Sequence, residues 1–253
     1  LFGDVKMKIE CKKALINPMM FISVFITFII LLRVFFIYDL FNTTMDYLTM
    51  FTYPIALSGF LPFAALLAIL PYAFSYLEEK NSGYGNYIIS RCGIKKYIVS
   101  KVMSVGVAGG VAMTIPFILI IVIVLINGAS VTRVNYPEMY EGRIWEPYLL
   151  IWGGKFILLL RLVLIFMFGA AWAEIALFIS ACYSNRYVVF IMTFVCYQLM
   201  WMILPTKINM TYLFRADYSQ ETMSIYTPYL IWCVYILVVC LFNYLIMIKK
   251  VKV

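Results

Sequence analysis

The chain has 253 residues, of which 65% are hydrophobic and 13% are charged, and its mean hydropathy is +0.96. Soluble domains carry about 25% charged residues, so this composition excludes a soluble globular fold, and no stretch outside the apolar runs is long enough for a separate catalytic or nucleotide-binding domain. The net charge of +8 is typical of a membrane protein whose lysines and arginines face anionic headgroups, and a nucleic-acid partner is not needed to explain it.

Six apolar segments are long enough to cross a bilayer as helices, which takes about 20 residues each. These spans lie at about 19–38, 55–76, 98–126, 156–181, 187–204 and 229–248. Tyrosine and tryptophan residues collect near many of their ends, as they do at membrane–water interfaces. We therefore predict an all-α membrane protein in which residues 1–253 form a single transmembrane domain.

The segment before the first span, residues 5–16, is basic and amphipathic. It begins a charge bias that runs through the whole chain. With the N-terminus inside the cell, 13 of the 20 lysines and arginines lie on the cytoplasmic side and seven on the other, two of them within apolar runs. Because membrane proteins retain positive charge on the cytoplasmic side, we predict that both termini are cytoplasmic.

The segment between the second and third spans is the most distinctive part of the chain. The second span continues without a break into two glutamates, an interruption follows near Gly83, and a short amphipathic stretch then runs as far as Gly93. One interpretation is an ordinary cytoplasmic hairpin. The other is a short helix on the membrane surface, against which a soluble partner can push. Its contact residues would be the apolar anchors Tyr84, Tyr87 and Ile88, with Arg91 as a charged contact.

Small residues recur through the third span. Ser104 and Ala108 belong to a series with a spacing of four, and Gly106 and Gly110 form a G-x-x-x-G beside it. Small residues at this spacing allow membrane helices to approach closely. The series is interpreted either as packing within the chain or as a seam between two chains.

The fourth span carries Glu174 near its middle, the one acidic residue inside any predicted span. A charge at that depth is costly unless it is paired, protonated or in contact with water. Arg161 lies 13 residues away in the sequence, about 20 Å along a helix, so it cannot pair with Glu174 in the same helix. Arg33 or a group from another chain could reach it. Glu174 is therefore either part of a polar path through the protein or a structural carboxyl bonded to a neighbouring helix.

The sequence lacks residues that several kinds of chemistry require. It contains no histidine, which excludes Ser–His hydrolysis, H-E-x-x-H zinc sites and histidine-ligated haem. None of the four aspartates lies in a predicted span, which excludes an intramembrane aspartyl protease, and no G-x-x-x-x-G-K-[ST] motif for ATP binding is present. We predict that the chain is not an enzyme and holds no metal or cofactor of its own.

Taken together, these residues resemble the signature of ABC-2-type export permeases. That signature has an acidic residue at the inner end of the second span, a glycine, an apolar stretch, a basic residue after serine, and a lysine entering the third span. The matching residues are Glu78 or Glu79, Gly83, Ile88 and Ile89, Ser90 and Arg91, Lys95 and Lys96, and Lys101. Tyr84 departs from the pattern, since many members have Thr or a second small residue beside the glycine. Residues 5–16 resemble the family's interfacial helix, and six spans with both termini inside resemble its topology.

The resemblance implies a division of labour between subunits. A separate soluble ATPase would bind ATP and Mg beneath a bacterial inner (plasma) membrane, and the segment with Glu78, Glu79 and Gly83 would couple its movement to the spans. A second permease chain, identical or related, would face this one around the cargo path to form a dimer. Aromatic and methionine-rich spans suit an amphipathic cargo such as a peptide, drug or lipid.

Two other functions fit the same sequence. One is a non-transporting membrane protein, such as an immunity protein, a sensor or an assembly scaffold. The other is half of a secondary transporter, which would need ion ligands inside the membrane.

Overall fold

The computed structural model describes residues 10–132, 134, 138–216, 219, 221 and 223–251, and within them the regular elements are all helices. Five helices are long and apolar enough to cross a membrane, and a bent pair of shorter helices makes a sixth if it is one span. The prediction of an all-α, multi-pass membrane protein is therefore confirmed.

The helices are α1 (Pro18–Ile37), α2 (Tyr47–Leu57), α3 (Ala64–Ile69), α4 (Ser75–Asn81), α5 (Tyr84–Cys92), α6 (Ile94–Asn127), α7 (Glu146–Trp152), α8 (Gly154–Cys182), α9 (Arg186–Ile203), α10 (Met210–Arg215) and α11 (Thr227–Val251). Short 3₁₀ turns lie at Leu40–Asn42, Leu61–Phe63 and Glu138–Tyr140. Residues 10–15 are helical as well, whereas residues 5–9 of the predicted interfacial helix lie outside the described residues.

The second span is not the continuous helix that the hydropathy of residues 55–76 predicted. It is divided into α2, α3 and α4, and α2 is bent by 66° from the segment Leu61–Ile69. Gly59 takes a left-handed φ of +68° at the bend, and Pro62 and Pro71 supply no backbone N–H for a helical hydrogen bond. The segment is thus apolar as predicted, but its backbone does not form one continuous helix.

The bent pair nevertheless passes from one end of the bundle to the other. At its start, the Tyr47 amide donates to the Ala129 carbonyl, just beyond the end of α6 (2.9 Å). At its end, the Asn17 side chain at the start of α1 donates to the Pro71 carbonyl (3.0 Å). We call the end of the bundle that holds residues 10–15 the N-terminal face and the other end the distal face. The end of α11 also lies at the N-terminal face, since Lys250 donates to the Cys182 carbonyl (3.2 Å).

Helices α6 and α8 form the centre of the bundle. They have 34 and 29 residues, or about 51 and 44 Å at 1.5 Å per residue, so both extend beyond the roughly 30 Å of a bilayer core. Of the apolar window of α8, 61% is buried inside the chain, against 17% for α9 and for α11. The outer helices therefore expose apolar side chains where lipid would lie.

Glycine sets the closest approach of the two central helices. A Cβ added to Gly109 would overlap Ala173 and lie 2.6 Å from the Gly169 carbonyl oxygen, and it would also be 3.1 Å from the carbonyl of Ala68 in α3. Real Cβ atoms essentially never lie within 3.0 Å of such a neighbour. Only the hydrogen atom of a glycine therefore fits where α6, α8 and α3 meet.

We expect Gly109→Ala to destabilise the protein by about 1–3 kcal/mol, the usual cost of overpacking a core, because the backbones of α6 and α8 must separate. The measurement is the thermal unfolding midpoint of the purified protein in a neutral detergent. The control is Gly85→Ala, where the added Cβ meets no atom closer than 3.4 Å. An unfolding midpoint for Gly109→Ala equal to that of the control would contradict the close packing described.

Candidate functional site: a surface helix backed by a buried lysine

The short helix α5 forms where the sequence showed an amphipathic stretch, and glycines separate it from its neighbours. Gly83 precedes it and Gly93 follows it, with left-handed φ values of +73° and +80°, a conformation that strains any residue with a Cβ. The turn at Gly83 changes the direction of the chain between α4 and α5, and the turn at Gly93 changes it again between α5 and α6. The helix can therefore lie across the end of the bundle instead of continuing a span.

The outer side of α5 presents two aromatic rings. The side chains of Tyr84 and Tyr87 are 48% and 51% exposed, and their rings stack with centroids 6.2 Å apart. The Arg91 guanidinium lies 4.2 Å from the centre of the Tyr87 ring, a cation–π contact. Protein interfaces are enriched in aromatic residues and arginine, and the exposed side of α5 presents both.

The placement of Ile88 corrects one detail of the sequence interpretation. Ile88 is buried and packs with residues of α4, α6 and α8, so it anchors α5 to the bundle instead of standing beside the tyrosines. Helical periodicity of 3.6 residues places Ile88 about 40° away from the direction of Tyr84, but it does not say which of them points inward.

Behind α5 lies a buried lysine, Lys101, which is 1% exposed. Its ammonium donates to Glu79 Oε1 (2.7 Å) and, more weakly, to Glu10 Oε2 (3.3 Å). The Tyr97 hydroxyl donates to the other Glu79 oxygen (2.7 Å), and the Tyr72 hydroxyl donates to Glu10 (2.7 Å). We call these five residues the lysine cluster. It joins residues 10–15, the turn before α4, α4 itself and α6 at one point.

Lys101 and the Tyr72 hydroxyl favour the ionised form of the Glu10 carboxyl. Burial raises the pKa of the Glu10 carboxyl, but Lys101, the Tyr72 hydroxyl and Lys13 lower it by more, so the net pKa lies below its ordinary value. A buried carboxylate pair with one ammonium is stable only if the remaining oxygen atoms also find donors. The Tyr97 hydroxyl supplies a donor to the second Glu79 oxygen, whereas the Tyr72 hydroxyl donates to the same Glu10 oxygen as Lys101, and Lys13 lies 3.8 Å from the other Glu10 oxygen.

The neighbouring Glu78 has a different environment from Glu79. Its carboxylate lies 3.2 Å from Arg186, at the start of α9, and both side chains are more than half exposed. Such exposed pairs contribute about 0–1 kcal/mol. Of the two glutamates that fit the acidic position of the signature, Glu79 is therefore the one tied to the core.

The position of α5 allows a force on it to reach the centre of the bundle. Gly93 is the single residue between α5 and α6, and Lys101 lies two turns into α6. A push on the exposed tyrosines would thus act on one of the two central helices directly, and on residues 10–15 through Glu10.

Glu174 lies inside the bundle, where Asn243 of α11 is its partner. The Asn243 amide donates to Glu174 Oε2 (2.7 Å) and to the Glu174 carbonyl oxygen (2.9 Å), and both residues are buried. Arg33, one of the partners that the sequence left open, is therefore not the partner that the structure shows. Arg161 likewise lies elsewhere, near the distal face, where it donates to Thr52 (2.8 Å).

The small residues of the third span pack within the chain. Ser104 and Ala108 are fully buried. A Cβ on Gly106 would lie 3.0 Å from a Glu174 oxygen, and one on Gly110 would overlap the ring of Phe166. All four positions therefore contact this chain's own helices. The closest approach, at Gly109 and Gly169, lies beside this series.

Sequence reasoning did not find several residues of the site. It included Lys101 only as part of a motif, and it assigned no role to Glu10, Tyr72, Tyr97 or Asn243. The available signal was a lysine inside a helix whose next 25 residues carry no charge. A charge in that position needs a partner, but the sequence does not identify one 91 residues away.

No protein-family model, curated protein or solved structure matches this chain. The function proposed below rests on the geometry of this site and on the resemblance in the sequence.

We expect Lys101→Met to destabilise the protein by about 3–5 kcal/mol, because it leaves the buried Glu10 carboxylate and the partly buried Glu79 carboxylate without this counter-charge. The unfolding midpoint in detergent measures this effect. Lys96→Met is the matched control, since Lys96 is exposed in the same helix. A loss no larger than that of the control would show that the lysine cluster does not hold these segments together.

We expect Glu174→Gln to retain both stability and activity, because a glutamine carbonyl can accept the same hydrogen bond from Asn243. Glu174→Leu should lose about 1–3 kcal/mol, since it leaves a buried amide unpaired. The measurements are the unfolding midpoint and cargo transport per folded complex. A Gln variant that folds normally but transports poorly would identify Glu174 as a path residue instead of a structural carboxyl.

Proposed function

We propose that this chain is the permease subunit of an ABC-type exporter in a bacterial inner membrane. ATP hydrolysis belongs to a separate soluble ATPase, which docks on α5. A second permease chain, identical or related, completes the cargo path, and the cargo is amphipathic.

One observation carries this proposal: α5 exposes an aromatic pair to the outside of the bundle, while on its other side Ile88 is buried and Gly85 lies beside the Tyr97 hydroxyl of the lysine cluster. A surface loop without function would not need four segments tied together behind it by buried charge. A helix that transmits force needs both an accessible contact surface and a rigid connection to the spans.

The charge distribution supports an orientation in which the N-terminal face lies in the cytoplasm. The N-terminal face carries α5, the end of α11 and most of the basic residues that the structure describes, as expected for the cytoplasmic side. An ATPase in the cytoplasm would therefore meet α5 directly.

The proposed mechanism uses the rigid centre of the bundle. Closure of the ATPase would press on Tyr84 and Tyr87, and α5 would pass that movement to α6, which begins directly after Gly93. Because α6 and α8 pack too closely to slide freely, they would tilt as one body. Alternating tilt in two facing chains would expose the cargo path first to one side and then to the other.

We expect Tyr87→Asp to abolish ATPase association, because it removes an aromatic contact and places a carboxylate at the docking surface. Co-purification of a soluble ATPase with the tagged chain measures the association. The matched control is Tyr183→Asp, at the same face of the bundle, where the tyrosine is 49% exposed against 51% for Tyr87. Undiminished association in Tyr87→Asp, or equal loss in both variants, would count against docking on α5.

Half of a secondary transporter is the second function that an observation favours. The buried pair of Glu174 and Asn243 supplies oxygen atoms inside the spans, as an ion-coupled transporter requires. This alternative predicts transport by proteoliposomes that contain no ATPase and are given only an ion gradient, whereas the proposed exporter is inactive under those conditions.

A further inference from the structure

The two exposed tyrosines of α5 lie between two cations. The Lys13 ammonium lies 5.9 Å from the centre of the Tyr84 ring, and the Arg91 guanidinium lies 4.2 Å from the centre of the Tyr87 ring. The two rings stack on each other. The four side chains thus form one row, lysine–tyrosine–tyrosine–arginine, which we call the cationic row.

The cationic row is accessible and keeps its charge. The Lys13 side chain is 50% exposed, and Arg91 is exposed as well. A tyrosine ring attracts a cation through its quadrupole but carries no net charge, so the ring contacts fix the positions of these cations without neutralising them. Lys13 belongs to residues 10–15 and the other three side chains to α5, so the row exists only in the folded chain.

The surface around the cationic row is also positive. In the lysine cluster, Lys101 and the adjacent Lys13 balance two carboxylates, and Arg186 balances Glu78. Five further cations of residues 10–15 and 75–101 have no acidic partner among the described residues: Lys12, Lys80, Arg91, Lys95 and Lys96. Residues 1–9 lie outside the described residues, and by sequence they carry two lysines and one aspartate. They therefore do not reverse the sign of this surface.

The orientation of α5 favours a protein over the membrane as the partner of this surface. A helix that lies on a bilayer turns its apolar side toward the acyl chains. In α5 the apolar Ile88 is buried against the bundle, whereas Asn86 and Ser90 are exposed together with the tyrosines. The apolar side of α5 is thus already covered by this chain's own helices. Its outer side has aromatic rings and an arginine with a polar, basic surround, as a protein interface has a core and a rim.

We propose that the cationic row recognises an acidic patch on the soluble ATPase. The two rings would enter a groove of the partner, and carboxylates at the rim of that groove would accept charge-assisted hydrogen bonds from Arg91 and the surrounding lysines. This inference rests on the proposed function and adds the chemistry of the partner's surface. Complementary charge speeds the encounter of two proteins and rejects partners of the wrong sign, so the row would select this ATPase against one with a basic docking surface.

The experiment compares two substitutions of the same ring. Tyr87→Asp and Tyr87→Lys both remove the aromatic contact, but they differ by two units of charge at one position. We expect the lysine variant to bind the ATPase at least about tenfold more tightly than the aspartate variant, since one close charge pair across an interface is worth about that factor or more. The dissociation constants are measured in a neutral detergent with the ATPase that co-purifies with the wild-type chain and is identified by its ATP hydrolysis.

The stability of α5 would produce the opposite order. Position 87 lies one helical turn before Arg91, where an aspartate attracts the guanidinium and a lysine repels it. Tighter binding by Tyr87→Lys therefore cannot come from a better folded helix. Tyr183→Asp and Tyr183→Lys are the matched controls at the same face of the bundle, and both should bind as the wild type does.

A second comparison tests the arginine of the row. Arg91→Gln should weaken binding about tenfold and reduce its dependence on salt concentration. Arg91→Lys keeps the charge and should retain most of the affinity. Lys249→Gln removes one exposed charge from the same face, outside the row, and should leave the affinity unchanged.

The outcomes separate this inference from the proposed function. Weak but equal binding by Tyr87→Asp and Tyr87→Lys would leave the ATPase docked on α5 and overturn the acidic patch. Tighter binding by Tyr87→Asp would show that the partner's surface is basic, which also overturns it. If no ATPase associates with the wild-type chain, the proposed function fails and the ATPase is not the partner of the row.

Hydroxyl-radical labelling of Tyr84 and Tyr87 tests the membrane as the alternative partner. The chain is placed in lipid nanodiscs of phosphatidylglycerol or of phosphatidylcholine, and the modified tyrosines are measured by mass spectrometry. We expect equal labelling in the two lipids and reduced labelling when the ATPase is added. Protection by the anionic lipid alone would assign the row to the membrane surface and overturn the proposal.

Discussion

The arrangement at the N-terminal face depends on one buried ammonium group, that of Lys101. A lysine that is 1% exposed must be surrounded by acceptors, and the chain supplies them from segments that are far apart in the sequence. Glu10 and Glu79 both accept hydrogen bonds from it, and the Tyr72 and Tyr97 ring centres lie 4.9 and 6.0 Å from the ammonium. Because removal of either sign would leave the other unpaired in a medium of low dielectric, these segments hold their positions together. The short helix α5 packs beside this cluster, with Gly85 next to the Tyr97 hydroxyl.

The distal face uses the same principle with other residues. Asp46 is buried and accepts hydrogen bonds from the Tyr140 hydroxyl (2.8 Å) and the Thr49 hydroxyl (2.6 Å). Burial and the neighbouring Asp46 carboxylate raise the pKa of Tyr140, so this tyrosine remains a donor. Trp145 in turn donates to the Ala216 carbonyl (3.1 Å), which ties the two connecting segments on this face together. Thus each end of the bundle is closed by buried polar contacts, and the apolar centre between them is closed by glycine and alanine.

What the sequence predicted and what it missed follow from the physics of each feature. Hydropathy identifies spans because it sums side-chain transfer energies, and for that reason five of the six apolar runs became continuous helices. It takes no account of backbone geometry, so the break at Gly59 and Pro62 was not found. The G-x-x-x-G at Gly106 indicated a packed helix face, but the contact between Gly109 and Gly169 depends on where two helices cross, and that is a property of the pair. The convergence of Arg143, Arg161 and Arg215 at one cavity also depends on how distant segments are placed, so the sequence did not predict it.

The broken second span connects the two ends of the molecule. Its part α3 touches the central helices, where the Ala68 carbonyl lies against Gly109. Its part α2 lines a cavity at the distal face. A closely packed core shifts between discrete arrangements and does not deform continuously, so a tilt of α6 and α8 must be absorbed where the backbone is already interrupted. The bend at Gly59 is such a place, and the Gln198 side chain that donates to the Pro62 carbonyl (3.2 Å) can exchange that bond at little cost. On the proposed mechanism, a movement started at α5 would reach this bend before it reaches α2, whose first turn is held at the distal face by Asp46 and Tyr140.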